Sequence, residues 1–270
     1  MTAGAAAGRT PDGRFGYLAA GADAAPPLVF LHGTGGAARS FAGPVAHFAP
    51  RFRAVAWDMP GHGASAPLQV VTIDALAAAL AAFLDALGPQ HPVLVGHGLG
   101  GMVVQRLLEL RPHGARAVVL AQTCAAFGPP DGAWQQGFLQ ARLGPLDAGQ
   151  SMADLAESMA EGMMGDDPDP AGRALARDCL AHTPDATYRD MVRALPGFDA
   201  REALGRIALP ALLLAGTRDR SAPAAAMARM AARIPGARFV ALEGVGHLAH
   251  LERPAAFNAA LDRFFAEEIP

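Results

Sequence analysis

Gly96-His97-Gly98-Leu99-Gly100-Gly101 is the stretch from which the rest of the chain is read. A short apolar run, Pro92-Val93-Leu94-Val95, leads into it, and an amphipathic run over residues 102–110 leads out. This spacing predicts a buried strand, a tight turn and a helix. The outer glycines let the strand and helix approach closely. The central position of such a turn is held in a strained conformation with positive φ. That strain lifts the central side chain clear of the sheet, yet the central residue is Gly98, which has no side chain to present.

Outward from this turn, strand and helix patterns alternate. Residues 14–20 and 28–31 read as strands, and the second is almost wholly apolar, as a buried central strand requires. It empties into His32-Gly33-Thr34-Gly35-Gly36, after which Ser40 is the expected N-cap of a helix through residue 48. A strand over 53–57 ends in the turn-rich loop Asp58-Met59-Pro60-Gly61-His62-Gly63-Ala64-Ser65. A helix over 72–87 is capped by Thr72 and stopped by Gly88-Pro89. Residues 115–121 form the next buried strand. From about 125 to 196 the alternation breaks into short helical patterns between Gly/Pro-rich breakers, including Asp166-Asp167-Pro168-Asp169-Pro170. Met152, Met159, Met163 and Met164 gather there; core packing and an adaptable apolar pocket wall are both compatible with them. Strands over 211–215 and 238–242 and helices over 222–234 and 253–267 complete the chain. The expected fold is α/β: a mostly parallel sheet with helices on both faces. The expected division is a core of residues 1–124 and 197–270 and a helical lid of 125–196.

Composition narrows the function. The 270 residues are 51% hydrophobic and 17% charged, with a formal net charge of −3, so one large domain with a sizeable core is expected. No basic block suggests nucleic-acid binding, and no apolar run is long enough to span a bilayer. Residues 1–13 are Ala/Gly-rich without a basic n-region and apolar core, so they read as a loose tail rather than a signal peptide. Cys124 and Cys179 make no disulfide framework, and a cytoplasmic location is the simplest expectation.

In sheets of this kind, ligands bind at the carboxyl ends of the strands. Four singular loops fall there: His32 to Gly36, Gly96 to Gly101, Gly216-Thr217-Arg218-Asp219 and Gly244-Val245-Gly246-His247. With the Asp58 to Ser65 loop and the run Gly246-His247-Leu248-Ala249-His250-Leu251-Glu252-Arg253-Pro254, the set resembles the α/β-hydrolase superfamily over nearly the whole chain. The finer likeness is to its 3-oxoadipate enol-lactonase-like members and small esterases. Elbow, acid and histidine follow one another in the order that superfamily uses.

The resemblance implies roles residue by residue. His247 would be the base, Asp219 its orienting carboxylate, and Gly98 the nucleophile position, vacant here. The backbone N–H groups of Thr34 and Leu99 would form an oxyanion hole, assisted by the dipole of the helix that begins at Leu99. Gly33, His97 and Cys124 would line the substrate pocket. Asp219 could instead cap the following helix, and His247 could be merely structural. His250, three residues on, has no companion ligand cluster for a metal. His62 and Ser65 shape their loop. Cys124 could be a displaced nucleophile or an inert thiol.

Three readings of Gly98 stay open. In one, a serine has been exchanged in an ordinary esterase or lactonase. In the second, His247 activates water directly or shuttles a proton in lyase or isomerase chemistry. In the third, the protein binds a small molecule without turning it over. No cofactor is implied, because no dinucleotide fingerprint with its ribose-binding acid is present. The expected partner is a small carbonyl substrate with an apolar part, with no nucleic acid and no membrane; whether copies form a homo-oligomer is left open.

Overall fold

The central strands are apolar at every position because both of their faces are covered, and their side chains divide between two layers with period two. Val29, Leu31, Val55, Trp57, Leu94, Val118, Leu120 and Leu213 enter one core; Leu28, Phe30, Val93, Val95, Val119, Leu212 and Leu214 enter the other. The computed structural model describes residues 5–88 and 91–269.

In chain order the elements are β1 (Ala6–Arg9), β2 (Gly16–Ala20), β3 (Pro27–Leu31), α1 (Ala42–Phe48), β4 (Arg53–Trp57), α2 (Ile73–Leu87), β5 (Val93–His97), α3 (Leu99–Leu110) and β6 (Ala117–Ala121). There follow α4 (Ala133–Asp147), α5 (Met152–Met163), α6 (Pro170–Ala181), α7 (Asp185–Arg193), β7 (Ala211–Gly216), α8 (Ala224–Ala231), β8 (Arg238–Leu242), α9 (Ala249–Glu252) and α10 (Pro254–Glu268). The sheet order is β1-β2-β4-β3-β5-β6-β7-β8. β1–β2 and β2–β4 pair antiparallel and the remaining neighbours parallel. Helices α2, α3 and α8 pack on one face, while α1 and α10 pack on the other, where Phe41, Phe48, Phe257, Phe264 and Phe265 fill the core. The fold is the expected mostly parallel α/β sheet covered on both sides.

Three local expectations are corrected. The segment read as a loose tail contains β1, whose Ala and Gly residues pair with β2 from Ala6 opposite Ala19 to Arg9 opposite Gly16. Backbone hydrogen bonds hold this edge strand, so its side chains carry no apolar pattern; Met1 to Gly4 lie outside the described residues. Arg14 precedes β2, which starts at Gly16. Ser40 is not an N-cap. It lies inside a 3₁₀ turn over Ala38–Phe41, and its hydroxyl donates to the Ala37 carbonyl 2.7 Å away. The free amide of Ala38 is taken by Asp58 Oδ1 at 2.7 Å. Thr72 does cap α2, accepting from the Ala75 amide at 3.0 Å, and the chain leaves that helix at Gly88 with φ 115°. Pro89 lies outside the described residues.

Helices α4 to α7 stand between β6 and β7 and have a core of their own, in which Leu143, Met152, Ala160, Leu180, Tyr188 and Val192 meet Leu248 and Leu251 from the sheet side. Among the described residues, no helix is long and apolar enough to cross a membrane.

Candidate active site

The turn between β5 and α3 is built by exclusion of side chains. A Cβ on Gly96 would stand 2.6 Å from the Gly100 carbonyl oxygen, so only glycine permits the close crossing of strand and helix. Gly98 sits at φ 55°, ψ −120°, a conformation that costs an L side chain strain. Its amide donates to Ala121 at 3.1 Å, and its carbonyl accepts from Thr123 Oγ1 at 2.6 Å. These bonds would hold the turn in shape whatever residue stood at its apex. A Cβ there would point at His247: it would lie 3.4 Å from Nε2, 3.6 Å from Gly33 Cα and 4.0 Å from the Gln122 carbonyl oxygen.

Asp219 and His247 come together from the ends of β7 and β8. His247 Nδ1 donates to Asp219 Oδ2 at 2.8 Å, which leaves Nε2 as the lone-pair nitrogen facing Gly98. Asp219 is not a helix cap, because α8 opens at Ala224 with Pro223 before it. Its other oxygen accepts from the Ser221 and Ala222 amides at 2.8 and 2.9 Å. Burial pushes its carboxyl pKa up, but attraction to His247, the His247 hydrogen bond and the two amides outweigh that and hold it below the usual value. Asp219 therefore stays ionised beside the imidazole.

The other four imidazoles around the site, His32, His62, His97 and His250, are buried, and burial lowers the pKa of each. His97 Nε2 donates to the His247 carbonyl at 2.6 Å, and burial followed by repulsion from His247 pulls its pKa down to about 3. His32 donates through Nδ1 to Gly33 at 2.7 Å and accepts from the Met59 amide at 3.0 Å, linking its loop to the Asp58 to Ser65 loop. His62 Nε2 lies 3.2 Å from the Thr34 carbonyl. His250 stacks on Phe41 at 4.2 Å and is held neutral by burial. Ser65 accepts from the Gly16 amide at 2.9 Å, and Asp58 Oδ2 from the Ala64 amide at 3.2 Å, so both residues tie down their own loop. The Leu99 N–H opens α3 and has no partner within that helix.

A cavity of about 350 Å³ brings Gly33, Thr34, His97, Gly98, Leu99, Cys124 and His247 to one surface. Asp219 lies behind it and meets it through His247. Met159 and Met163 reach the cavity wall, whereas Met152 is buried in the helical core. Burial raises the Cys124 thiol to about 11, which suits an inert thiol rather than a nucleophile.

Two site residues have no counterpart among the sequence expectations. Glu252, almost fully buried, accepts from Gly165 and Gly246 through Oε2 at 2.7 and 2.8 Å and from Leu248 through Oε1 at 2.8 Å. It clamps the amides on either side of His247. Gln122, wholly buried at φ 45°, donates through Nε2 to the Gly246 carbonyl at 2.9 Å. The Glu252 signal lay in the run that ends in Arg253-Pro254; Gln122 had none, because its role depends on a strand end meeting a distant loop. The His247 loop is also fixed from the helical side, since its amide donates to the Met163 carbonyl at 2.7 Å.

The model of the alpha/beta hydrolase family matches residues 28–260. The chain is 29% identical over 251 residues to the polyketide synthase ThaQ of Burkholderia thailandensis; the match covers 90% of this chain and only 12% of that protein's length. It is 29% identical over 243 residues to 3-oxoadipate enol-lactonase 2 of Acinetobacter baylyi, covering 88% of this chain and 87% of that one. The crystal structure of the enol-lactonase from Burkholderia xenovorans superposes with a TM-score of 0.81 at 26% identity, over 97% of this chain and all of that one.

Proposed function

We propose, from the premise that the chain belongs to the alpha/beta hydrolase family, that it hydrolyses a small ester or lactone without a covalent intermediate. His247 is the general base, Asp219 its orienting partner, and the amides of Thr34 and Leu99 the oxyanion donors. The observation that carries this reading is the 2.8 Å Asp219–His247 hydrogen bond beside a residue with no side chain, with Nε2 3.4 Å from the point where a Cβ would be. Relatives named as an enol-lactonase and as a methyl ester esterase support the substrate class.

In the first step water enters the space before Gly98 and gives a proton to His247 Nε2 as its oxygen bonds to the carbonyl carbon. The carbonyl π pair moves onto oxygen, where the two amides and the N-terminus of α3 stabilise it. The pair then returns, the bond to the leaving alkoxide breaks, and the imidazolium gives its proton to that oxygen. An ester yields an acid and an alcohol; a lactone yields one hydroxy acid. Helices α4 to α7, within residues 125–196, act as the lid that shields this chemistry from bulk water.

The test is His247→Ala against the parent chain on a panel of aryl esters and lactones in ¹⁸O-labelled water. Loss of turnover in a variant with unchanged melting, ¹⁸O in the acid, and neither a burst of leaving group nor an acyl adduct in the quenched parent chain together support direct attack by water. Equal rates in both proteins would refute the assignment of His247.

A further inference from the structure

Helix α4 presents Trp134, Phe138 and Arg142 at intervals of four residues, so the three form one stripe along a single face. All three reach the wall of the cavity that holds Gly98 and His247. Trp134 and Phe138 are stacked with centroids 5.8 Å apart, and Phe127 closes on both at 5.2 and 4.9 Å. The Arg142 guanidinium lies over the Phe138 ring, 5.5 Å from its centroid, and beside the hydroxyl of buried Tyr188. The stripe thus runs from an exposed indole, 63% accessible, to a half-buried cation.

Among the described residues no carboxylate lies within 4.0 Å of the Arg142 guanidinium; on the same group of helices Arg173 pairs with Glu157 and Glu161 and Arg189 with Asp147, while Arg193 at the end of α7 is likewise without a carboxylate partner. Among the described residues the two ionised side chains on the cavity wall are both arginines, Arg142 and the exposed Arg220, and no Asp or Glu lines it. The ionised Asp219 stands behind His247, so the wall at the Arg142 end offers positive charge to an anion. Guanidinium keeps its proton at any working pH and presents a planar fork that matches a carboxylate.

We propose that the substrate is an anion, whose carboxylate is received by Arg142 while its apolar part lies along Phe138 and Trp134 and its reacting carbonyl faces His247. This rests on the reading of the cavity as the substrate site, and its test does not need turnover. Of the two tryptophans, Trp57 is fully buried and Trp134 is exposed at the cavity, so a ligand-dependent change in emission reports the stripe. The probes are 4-phenylbutyrate, its neutral amide and 4-phenylbutylamine, titrated into the intact chain.

The carboxylate is expected to bind at least 10-fold tighter than the amide, and the amine weakest. Arg142→Gln should abolish that preference, and Arg142→Lys should keep part of it. Equal affinity for carboxylate and amide in the parent chain would overturn the proposal without any variant. An unchanged preference in folded Arg142→Gln would do the same. Carboxylate preference lost with Arg142, in a chain that hydrolyses no ester, would uphold the anion site and remove the hydrolase reading. Rapid hydrolysis of neutral esters with no carboxylate preference would do the reverse.

Discussion

Gly98→Ser places a hydroxyl where the frame is open to receive one. The Cβ would stand 3.4 Å from His247 Nε2 and no closer than that to its other neighbours, so the substitution meets no steric barrier. With a C–O bond of about 1.4 Å and an O···N distance of about 2.8 Å, the angle at oxygen is about 102°, close to that of a hydroxyl donor. The new Oγ can therefore donate to Nε2 without movement of the histidine. The cost lies in the backbone, because φ 55°, ψ −120° strains a residue with a Cβ by about 1–3 kcal/mol. At about 2–4 °C per kcal/mol for a chain of this size, melting should fall by roughly 2–12 °C. Turnover of an activated aryl ester should nonetheless rise on the order of 100-fold or more, with a burst of leaving group equal to the enzyme concentration. Differential scanning fluorimetry and stopped-flow release of nitrophenol measure the two effects. A crystal structure with Ser Oγ bonded to Nε2 but no gain in rate would refute the idea that this imidazole is poised to take a proton from a hydroxyl.

The remaining predictions concern the supports of the site. His32, His97 and His250 are held neutral by burial, so on acidification the unfolded chain takes up their protons first. Stability is therefore full above pH 6.5 and is lost as pH falls toward the folded-state values. For His97, lowered from 6.5 to about 3, the loss by pH 5 is about 2 kcal/mol. Urea midpoints at pH 7.5 and 5 measure this, and a His97→Asn variant with undiminished acid sensitivity would contradict it. Glu252→Gln replaces one of two acceptor oxygens with a donor that faces an amide. A cost of about 2 kcal/mol should appear in thermal melts, with kcat falling further than KM rises; a KM effect alone would speak against a role in holding His247. Cys124, with its thiol raised to about 11, should resist iodoacetamide at pH 8, and Cys124→Ala should keep the parent rate. Rapid alkylation followed by inactivation would reopen its role as a nucleophile.

Sheet and elbow were legible because each depends on local rules, period-two burial in the strands and close approach at Gly96; the Asp219–His247 meeting was legible through the resemblance in the order of elbow, acid and histidine. β1 was hidden because an edge strand held by backbone bonds needs no apolar pattern, and its Ala and Gly residues supply none. Ser40 misled because its cap chemistry was right for a helix but a 3₁₀ turn intervened, and Asp58, 20 residues beyond Ala38, supplied the acceptor for the Ala38 amide. Gln122 escaped notice because its partner is a backbone group of a remote loop, which no residue type announces, and Glu252 because a carboxylate four and six residues from two of its amide partners gives no sign that it is buried among them. The α4 stripe was obscured by the low contrast of its helix: Gln, Gly and Arg alternate with the aromatics, and only the cavity distinguishes the face that matters.

The bond from the His247 amide to the Met163 carbonyl ties the end of α5 to the same peptide that carries the imidazole. Gly165 reinforces it, because its Cα packs so closely against the Gly244–Gly246 turn that a Cβ there would come within 2.2 Å of the Gly244 oxygen. An outward swing of α5 relative to the His247 loop would break one of the bonds that hold that loop. If residues 125–196 open as the proposed lid, admission and reactivity would share one latch, because displacing α5 would remove this support of the base and closure would restore it. Substitutions at Gly165 would then be felt as lost rate before lost affinity.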